Sequence, residues 1–396
     1  MGIYLLDQAL IFWEILLLDL PLCPMEKHLQ FIQTKLDQMA SQNRLRSLQF
    51  LSSDYIDFFS NDYLGFSTKG LLHVPSQEIS NQWIGATGSR LISGNHPEMI
   101  QVEEQFARYL RAPSALLYNS GYMANTGLLS ALGDKNSCFV YDEHVHASIK
   151  EGMRLGFGSK IAFRHNDIED LQKKLIAQSK KDLKVYVLTE GLFSMHGDVP
   201  PIREILEICA RHEAALIVDE AHALGTLGED NKGLSYSYAD HPNLFARIIT
   251  FGKAAGCHGA MVLGSCLLRE FLINFSRAFI YTTAPSSDQV ATISASLKLF
   301  AARTNSEKLS SIIHYYTALV KEKSTAFSQN PGPIQYWQCA DIGLLKQKVE
   351  KLKQAGINCY PILSPTVKPG EERIRIILHA FNTKEELSLL IQLLES

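Results

Sequence analysis

Ala214-Ala215-Leu216-Ile217-Val218-Asp219-Glu220 sets five apolar residues directly before two acids, and its reading decides the fold. An unbroken apolar run of this length, with no polar alternation, marks a strand covered on both faces. Six further runs resemble it: ALLYN from Ala115, CFVYD from Cys138, KIAFRH from Lys160, KVYVLTE from Lys184, RIITFG from Arg247 and GAMVLGS from Gly259. Helical patterns separate them, so the expected class is α/β with a mostly parallel central sheet. A second unit is expected to begin near Pro285, with a helical stretch from Ser287 to Leu309 and then a smaller α+β region to Ser396.

The 396 residues are 46% hydrophobic and 20% charged, which excludes a disordered or low-complexity chain. Lys and Arg number 38 against 41 Asp and Glu, a formal charge of -3, so there is no electrostatic footprint for nucleic acid or for an anionic membrane. The seven cysteines are scattered without a CxxC pair, as expected of reduced thiols in a cytoplasmic protein.

The first segment stands apart. Ile3 to Leu22 is strongly apolar but carries Asp7, Glu14 and Asp19, and no Lys or Arg precedes it. Three acids argue against a spanning helix, and a signal peptide would need a basic start. Residues 1–24 read as an extra segment from an upstream start codon, with Met25 opening a polar helix; a surface or partner-binding helix is the alternative.

In open α/β sheets ligands sit beyond the carboxyl ends of the strands. The residues just after the apolar runs are Tyr118 to Tyr122, then Asp142 and His146, Glu190, Asp219 and His222, and Lys253. Lys253 lies between Gly252 and Gly256, and a lysine ending a buried strand can be desolvated, which frees its amine for Schiff-base chemistry. Asp219 at a strand end needs a cationic partner, which a protonated pyridine nitrogen would supply. A magnesium-binding aspartate competes with that reading, but the chain has no GxxxxGK[ST] loop. Ser120 to Asn125 suits a phosphate on backbone N–H groups at a helix start, with Gly121 allowing close approach and Thr250 offering a hydroxyl. His144 and His146 suggest a metal, yet no third ligand is evident, so no metal is expected.

From Met25 onward these residues resemble the α-oxoamine synthases, a family of fold-type I pyridoxal-phosphate transferases. The resemblance is carried by F-S-N-D-Y-L-G (Phe59 to Gly65), G-A-T-G-S-R-L-I-S-G (Gly85 to Gly94), N-S-G-Y-M-A-N, H-A-S, T-E-G-L-F-S-M-H-G-D (Thr189 to Asp198), V-D-E-A-H, T-F-G-K and R-I-R (Arg373 to Arg375). It implies an N-terminal arm over 25–65, a large cofactor-binding domain over 66–284 and a small C-terminal domain over 285–396. It also implies pyridoxal 5'-phosphate on Lys253, Asp219 at the ring nitrogen, His146 stacked on the ring, and His222 and Ser194 at its phenolic oxygen. Gly121, Tyr122 and Thr250 would surround the phosphate, with Thr282 and Thr283 reaching a phosphate across a homodimer interface. Arg375 would grip the amino-acid carboxylate, with Arg46, Asn61 and Thr366 also at the substrate.

Three stretches, Gly252 to Ala260, Phe275 to Ala284 and Ser364 to Arg375, favour the family members that join L-alanine to a pimeloyl thioester, on coenzyme A or a carrier protein. Sister enzymes pair glycine with acetyl-CoA or succinyl-CoA, or serine with a long acyl-CoA. An aminotransferase or a non-catalytic family subunit are the rival classes, and the presence of Lys253 argues against the second. The chain departs from the family pattern at His196, where Asp is usual, at Leu224, and in I-I-L-H-A-F (Ile376 to Phe381).

Overall fold

The structure, a computed structural model, describes residues 26–42, 45, 46, 48, 54–72, 85–179, 181–323, 325–364 and 366–396. The apolar segment 1–24 lies outside the described residues. The chain divides into two units, Met1–Ser53 and Asp54–Ser396. In the first, the helix expected after Met25 is present as Glu26–Ser41.

The second unit opens with a short strand, β1 (Ile56–Asp57), and is built around a seven-stranded sheet. Its strands are β2 (Ser114–Tyr118), β3 (Ser137–Asp142), β4 (Ser159–Phe163), β5 (Lys184–Glu190), β6 (Ala215–Asp219), β7 (Leu244–Thr250) and β8 (Ala260–Gly264), in the order β2-β8-β7-β6-β5-β3-β4. All seven apolar runs are therefore strands of one sheet. Only β8 opposes its neighbours; the pairs from β7 through to β4 are parallel.

Alternation along β6 shows why the sheet is buried on both sides. Leu216 and Val218 join Ile202, Ile205 and Cys209 of the helix Ile202–Arg211. Ile217 points the other way, into the cluster with Leu128 and Leu132 of the helix Gly121–Leu132. Cutting Phe251, fully buried just after β7, to alanine would cost about 3–5 kcal/mol.

The C-terminal region carries β9 (Ile334–Gln338), β10 (Ile357–Asn358), β11 (Tyr360–Ile362) and β12 (Arg373–Ile377). β12 lies between β9 and β11 in an antiparallel sheet, and β10 pairs in parallel with β1. The helix Lys384–Glu395 closes the chain behind a capping box of Thr383 and Glu386. Among the described residues no helix is long and apolar enough to cross a membrane, and the described cysteines are free.

Candidate active site

The carboxyl ends of β2, β3, β5, β6 and β7 open on one cavity of about 290 Å³. Gly121, Tyr122, His146, Asp219, His222, Thr250 and Lys253, all expected there, line it together with Asn125, Ser148, Glu190 and His258.

Lys253 follows β7 by three residues. Desolvation pulls its ammonium below the usual lysine range, opposed by the charges of Asp219 and Glu190. Asp219 is buried, and its described partners are neutral: Asn125 donates to Oδ2 at 2.7 Å and the backbone N–H of Ala221 to Oδ1 at 3.0 Å. A buried carboxylate held only by amides still seeks a cation.

The helix Gly121–Leu132 begins beside it, capped by Ser120, whose hydroxyl accepts from the N–H of Met123 at 3.2 Å. A Cβ on Gly121 would come within 2.4 Å of Thr250 Cγ2. Glycine thus leaves the first-turn N–H groups and the Thr250 side chain room to share a small anion.

His146 caps the helix Ala147–Leu155, with Nδ1 accepting from Ser148 N–H at 3.2 Å. Its own N–H donates to Glu190 Oε1 at 2.5 Å. Burial, reinforced by the charge of Asp219, pushes the Glu190 carboxyl up to about 8.

Behind the cavity wall runs a second chain of contacts. Tyr63 OH lies 2.5 Å from His222 Nδ1. Burial pushes that phenol up, so the hydroxyl keeps its proton and donates. Burial likewise holds His222 neutral, well below the usual histidine range, so Nε2 carries the ring proton. Arg375 Nη2 donates to Asn61 Oδ1 at 3.2 Å, Tyr63 OH lies 3.2 Å from the same oxygen while its proton goes to His222, and Arg375 Nε donates to the carbonyl of Ser194 at 2.9 Å. Arg375, Asn61 and Ser194 therefore form one cluster, joined to the cavity through Tyr63 and His222.

Thr282, Thr283 and Thr366 do not line the cavity. Thr282 and Thr283 stand beside Asn119, whose amide reaches Thr282 Oγ1 at 3.3 Å and the Thr283 carbonyl at 2.6 Å. Thr366 is exposed in a turn, its N–H on the Leu363 carbonyl at 3.0 Å. Arg46 is exposed and belongs to the first unit.

Sequence reasoning gave no role to Tyr63, Asn125 or Glu190. Asn125 was reachable, since it lies four residues after Gly121 and so on the same helix face.

The family profile described as aminotransferase class I and II matches residues 53–394. The chain is similar to the 8-amino-7-oxononanoate synthase of Emericella nidulans, 33% identical over 400 residues covering 94% of this chain and 96% of that one. It is similar also to 8-amino-7-oxononanoate synthase 2 of Bacillus subtilis, 33% identical over 339 residues covering 85% and 86% of the two chains. Among solved structures, the 8-amino-7-oxononanoate synthase of Francisella tularensis shares 27% identity at a TM-score of 0.73, over 87% of this chain and 97% of that one. The serine palmitoyltransferase of S. paucimobilis, in complex with pyridoxal phosphate and myriocin, matches in fold at a TM-score of 0.83 and 23% identity, over 94% and 97%.

Fold and relatives together define the class, a fold-type I pyridoxal-phosphate enzyme. The chain belongs to the aminotransferase class I and II family, within it to the α-oxoamine synthases, and is a pyridoxal-phosphate-dependent acyltransferase. The cavity suits that cofactor: a lysine, a buried carboxylate awaiting a cation, and a glycine-floored helix start all face one ring-sized space.

Proposed function

We propose that the protein condenses L-alanine with a pimeloyl thioester, on coenzyme A or a carrier protein, to give 8-amino-7-oxononanoate, carbon dioxide and the free thiol of coenzyme A or the carrier, a step of biotin synthesis. The observation that carries this reading is the convergence of Lys253 and Asp219 on one cavity, in a chain whose relatives bear that enzyme's name.

Bound pyridoxal phosphate supplies an electron sink for the bonds broken at the amino acid's Cα. Lys253 would hold the cofactor through Nζ, and the same amine would serve as the base for the proton on the amino acid's Cα. Asp219, oriented by Asn125 and Ala221, keeps the ring nitrogen protonated. His222 offers Nε2–H to the phenolic oxygen because Tyr63 occupies Nδ1. His146, its backbone fixed by Glu190, would cover one face of the cofactor. Gly121, Tyr122 and Thr250 take the phosphate.

Arg375 orients the substrate carboxylate through its guanidinium, with Asn61 and Ser194 setting its plane. Fixing the orientation of that group would favour loss of carbon dioxide. By family likeness Arg46 and Thr366 would also serve the substrate, and Thr282 and Thr283 the phosphate of a second copy in a homodimer with shared sites. The position of these two threonines outside their own chain's cavity supports that assignment. The enzyme works in the cytoplasm.

Competition among pimeloyl, acetyl, succinyl and palmitoyl thioesters, each with alanine, glycine and serine, tests the substrate pair by product mass. Alanine with the pimeloyl donor should turn over fastest. The alanine methyl is worth ~1–3 kcal/mol, so glycine should react roughly 10- to 200-fold more slowly. Faster turnover of serine with the palmitoyl donor, or of glycine with acetyl-CoA, would overturn the assignment.

A further inference from the structure

His144 and His146, both beyond the end of β3, part to opposite sides: His146 lines the cofactor cavity, while His144 turns onto residues from two other loops. The His144 ring lies 4.2 Å from that of His165, just after β4, and 4.4 Å from that of His196, in the loop after β5, the latter pair stacked at 8°. Asp142, wholly buried at the end of β3, places its two oxygens 2.9 and 3.1 Å from His165 Nδ1. The other ring nitrogen of His165, Nε2, lies 2.7 Å from Asp198 Oδ2.

Two features here lack a purpose within the protein alone. His144 Nδ1 is buried with no hydrogen-bond partner among the described residues, and so is Asp198 Oδ1. Donor atoms of Asp142, His144 and His165 all lie within 4.8 Å of one another.

We propose that Asp142, His144 and His165 form a binding site for a divalent ion of the zinc class, such as Zn²⁺ or Co²⁺. Two imidazoles and one carboxylate suit these borderline ions, whereas an oxygen-only set would favour Mg²⁺ or Ca²⁺. The ion takes the place of the proton between Asp142 and His165 Nδ1, and that proton leaves to solvent. His165 keeps the proton on Nε2, and its hydrogen bond to Asp198 is the carboxylate contact that commonly fixes a metal-bound histidine. Ligand bonds of about 2.0–2.2 Å require the three donors to draw closer, which a small turn of the partly exposed His144 ring accomplishes. His196, stacked on His144, limits that ring's rotation. The missing third ligand of the HVH pair is thus His165, distant in sequence and adjacent in space. The ion would clamp the loop after β3, which also carries His146, to the loop after β4, with the loop after β5 joined through the Asp198 contact to His165, so it bears on the cavity without entering it.

The test uses the chelator-treated holoenzyme, with pyridoxal phosphate bound and no amino acid present. Titration with CoCl₂ should show one saturable equivalent by calorimetry, with visible ligand-field absorption and a raised unfolding temperature. His144→Leu, a change at a partly exposed ring, should keep the cofactor spectrum and weaken Co²⁺ binding at least tenfold. His314→Gln, at an exposed histidine on a distant helix, should leave binding unchanged. Absence of a saturable equivalent in the parent protein, or equal Co²⁺ affinity in His144→Leu, would overturn the proposal.

Discussion

The side-chain amide of Asn125 bridges Asp219 Oδ2 at 2.7 Å and Ser148 Oγ at 3.0 Å, so the helix after β2 and the helix after β3 jointly aim the carboxylate that ends β6. The aim is rigid because Asp219, Asn125 and Ser148 are all buried.

Asp219→Asn keeps the shape of that arrangement but removes the charge. The variant should fold and retain pyridoxal phosphate, while turnover falls by roughly 10²- to 10³-fold, the usual cost of losing one charge-stabilising group. Steady-state kinetics alongside a cofactor titration check this, and turnover within tenfold of the parent would remove Asp219 from its role.

Lys253→Ala should leave the cofactor bound without a covalent link. Borohydride reduction followed by peptide mapping should mark Lys253 in the parent and no peptide in the variant. A label on another lysine would end the assignment.

Gly121→Ala drives its new methyl into Thr250 Cγ2. Cofactor affinity should fall by about tenfold or more, since a contact of 2.4 Å must be relieved by moving the turn or the threonine. Thr250→Ser in the same chain removes Cγ2 and keeps the hydroxyl, so the double variant should recover most of the loss. Equilibrium dialysis of all three proteins gives the answer.

Glu190 makes the cofactor-free protein sensitive to pH. Its carboxyl, pushed up to about 8, is protonated in the folded chain at pH values where the unfolded chain has released that proton. The folded state binds more protons there, so stability is greatest near or below pH 4.5 and declines as pH rises toward about 8. The slope from this group is at most about 1.4 kcal/mol per pH unit. Glu190→Gln should flatten it. Denaturant midpoints at two pH values within that window compare the proteins, and equal slopes would refute the coupling.

Arg375→Lys keeps the charge but not the fork that engages Ser194 and Asn61. KM for the amino acid should rise roughly 10- to 100-fold, with a smaller change in kcat.

The sheet was legible because each strand is an unbroken apolar run, and the core of the site was legible because its residues follow those runs within a few positions. That one-dimensional rule placed Lys253, Asp219, His222 and His146 in the cavity. It fails for contacts that join distant segments. Tyr63 meets His222 across 159 positions, and no local pattern links them. His165 sits 23 positions beyond Asp142, on a different strand end, so the HVH pair looked like an incomplete ligand set. β1 and β10 contribute only two residues each, too few for any period to register. The turn holding Thr366 and the strand-free stretch at Thr282 and Thr283 carry no such signal, and family likeness alone suggested their roles.

The antiparallel strand β8 has a consequence for how the molecule comes into being. Among the described residues β2 sits at the sheet edge with β8 as its one strand neighbour, and Ser114 pairs with Gly264. During synthesis, β2 and its inward residues Leu116 and Leu117 therefore wait, unpaired, until almost two-thirds of the polypeptide has left the ribosome. Closing so long a loop is slow. The turn from Ser120 to Tyr122 follows β2 directly, so the phosphate niche is completed only when β8 arrives.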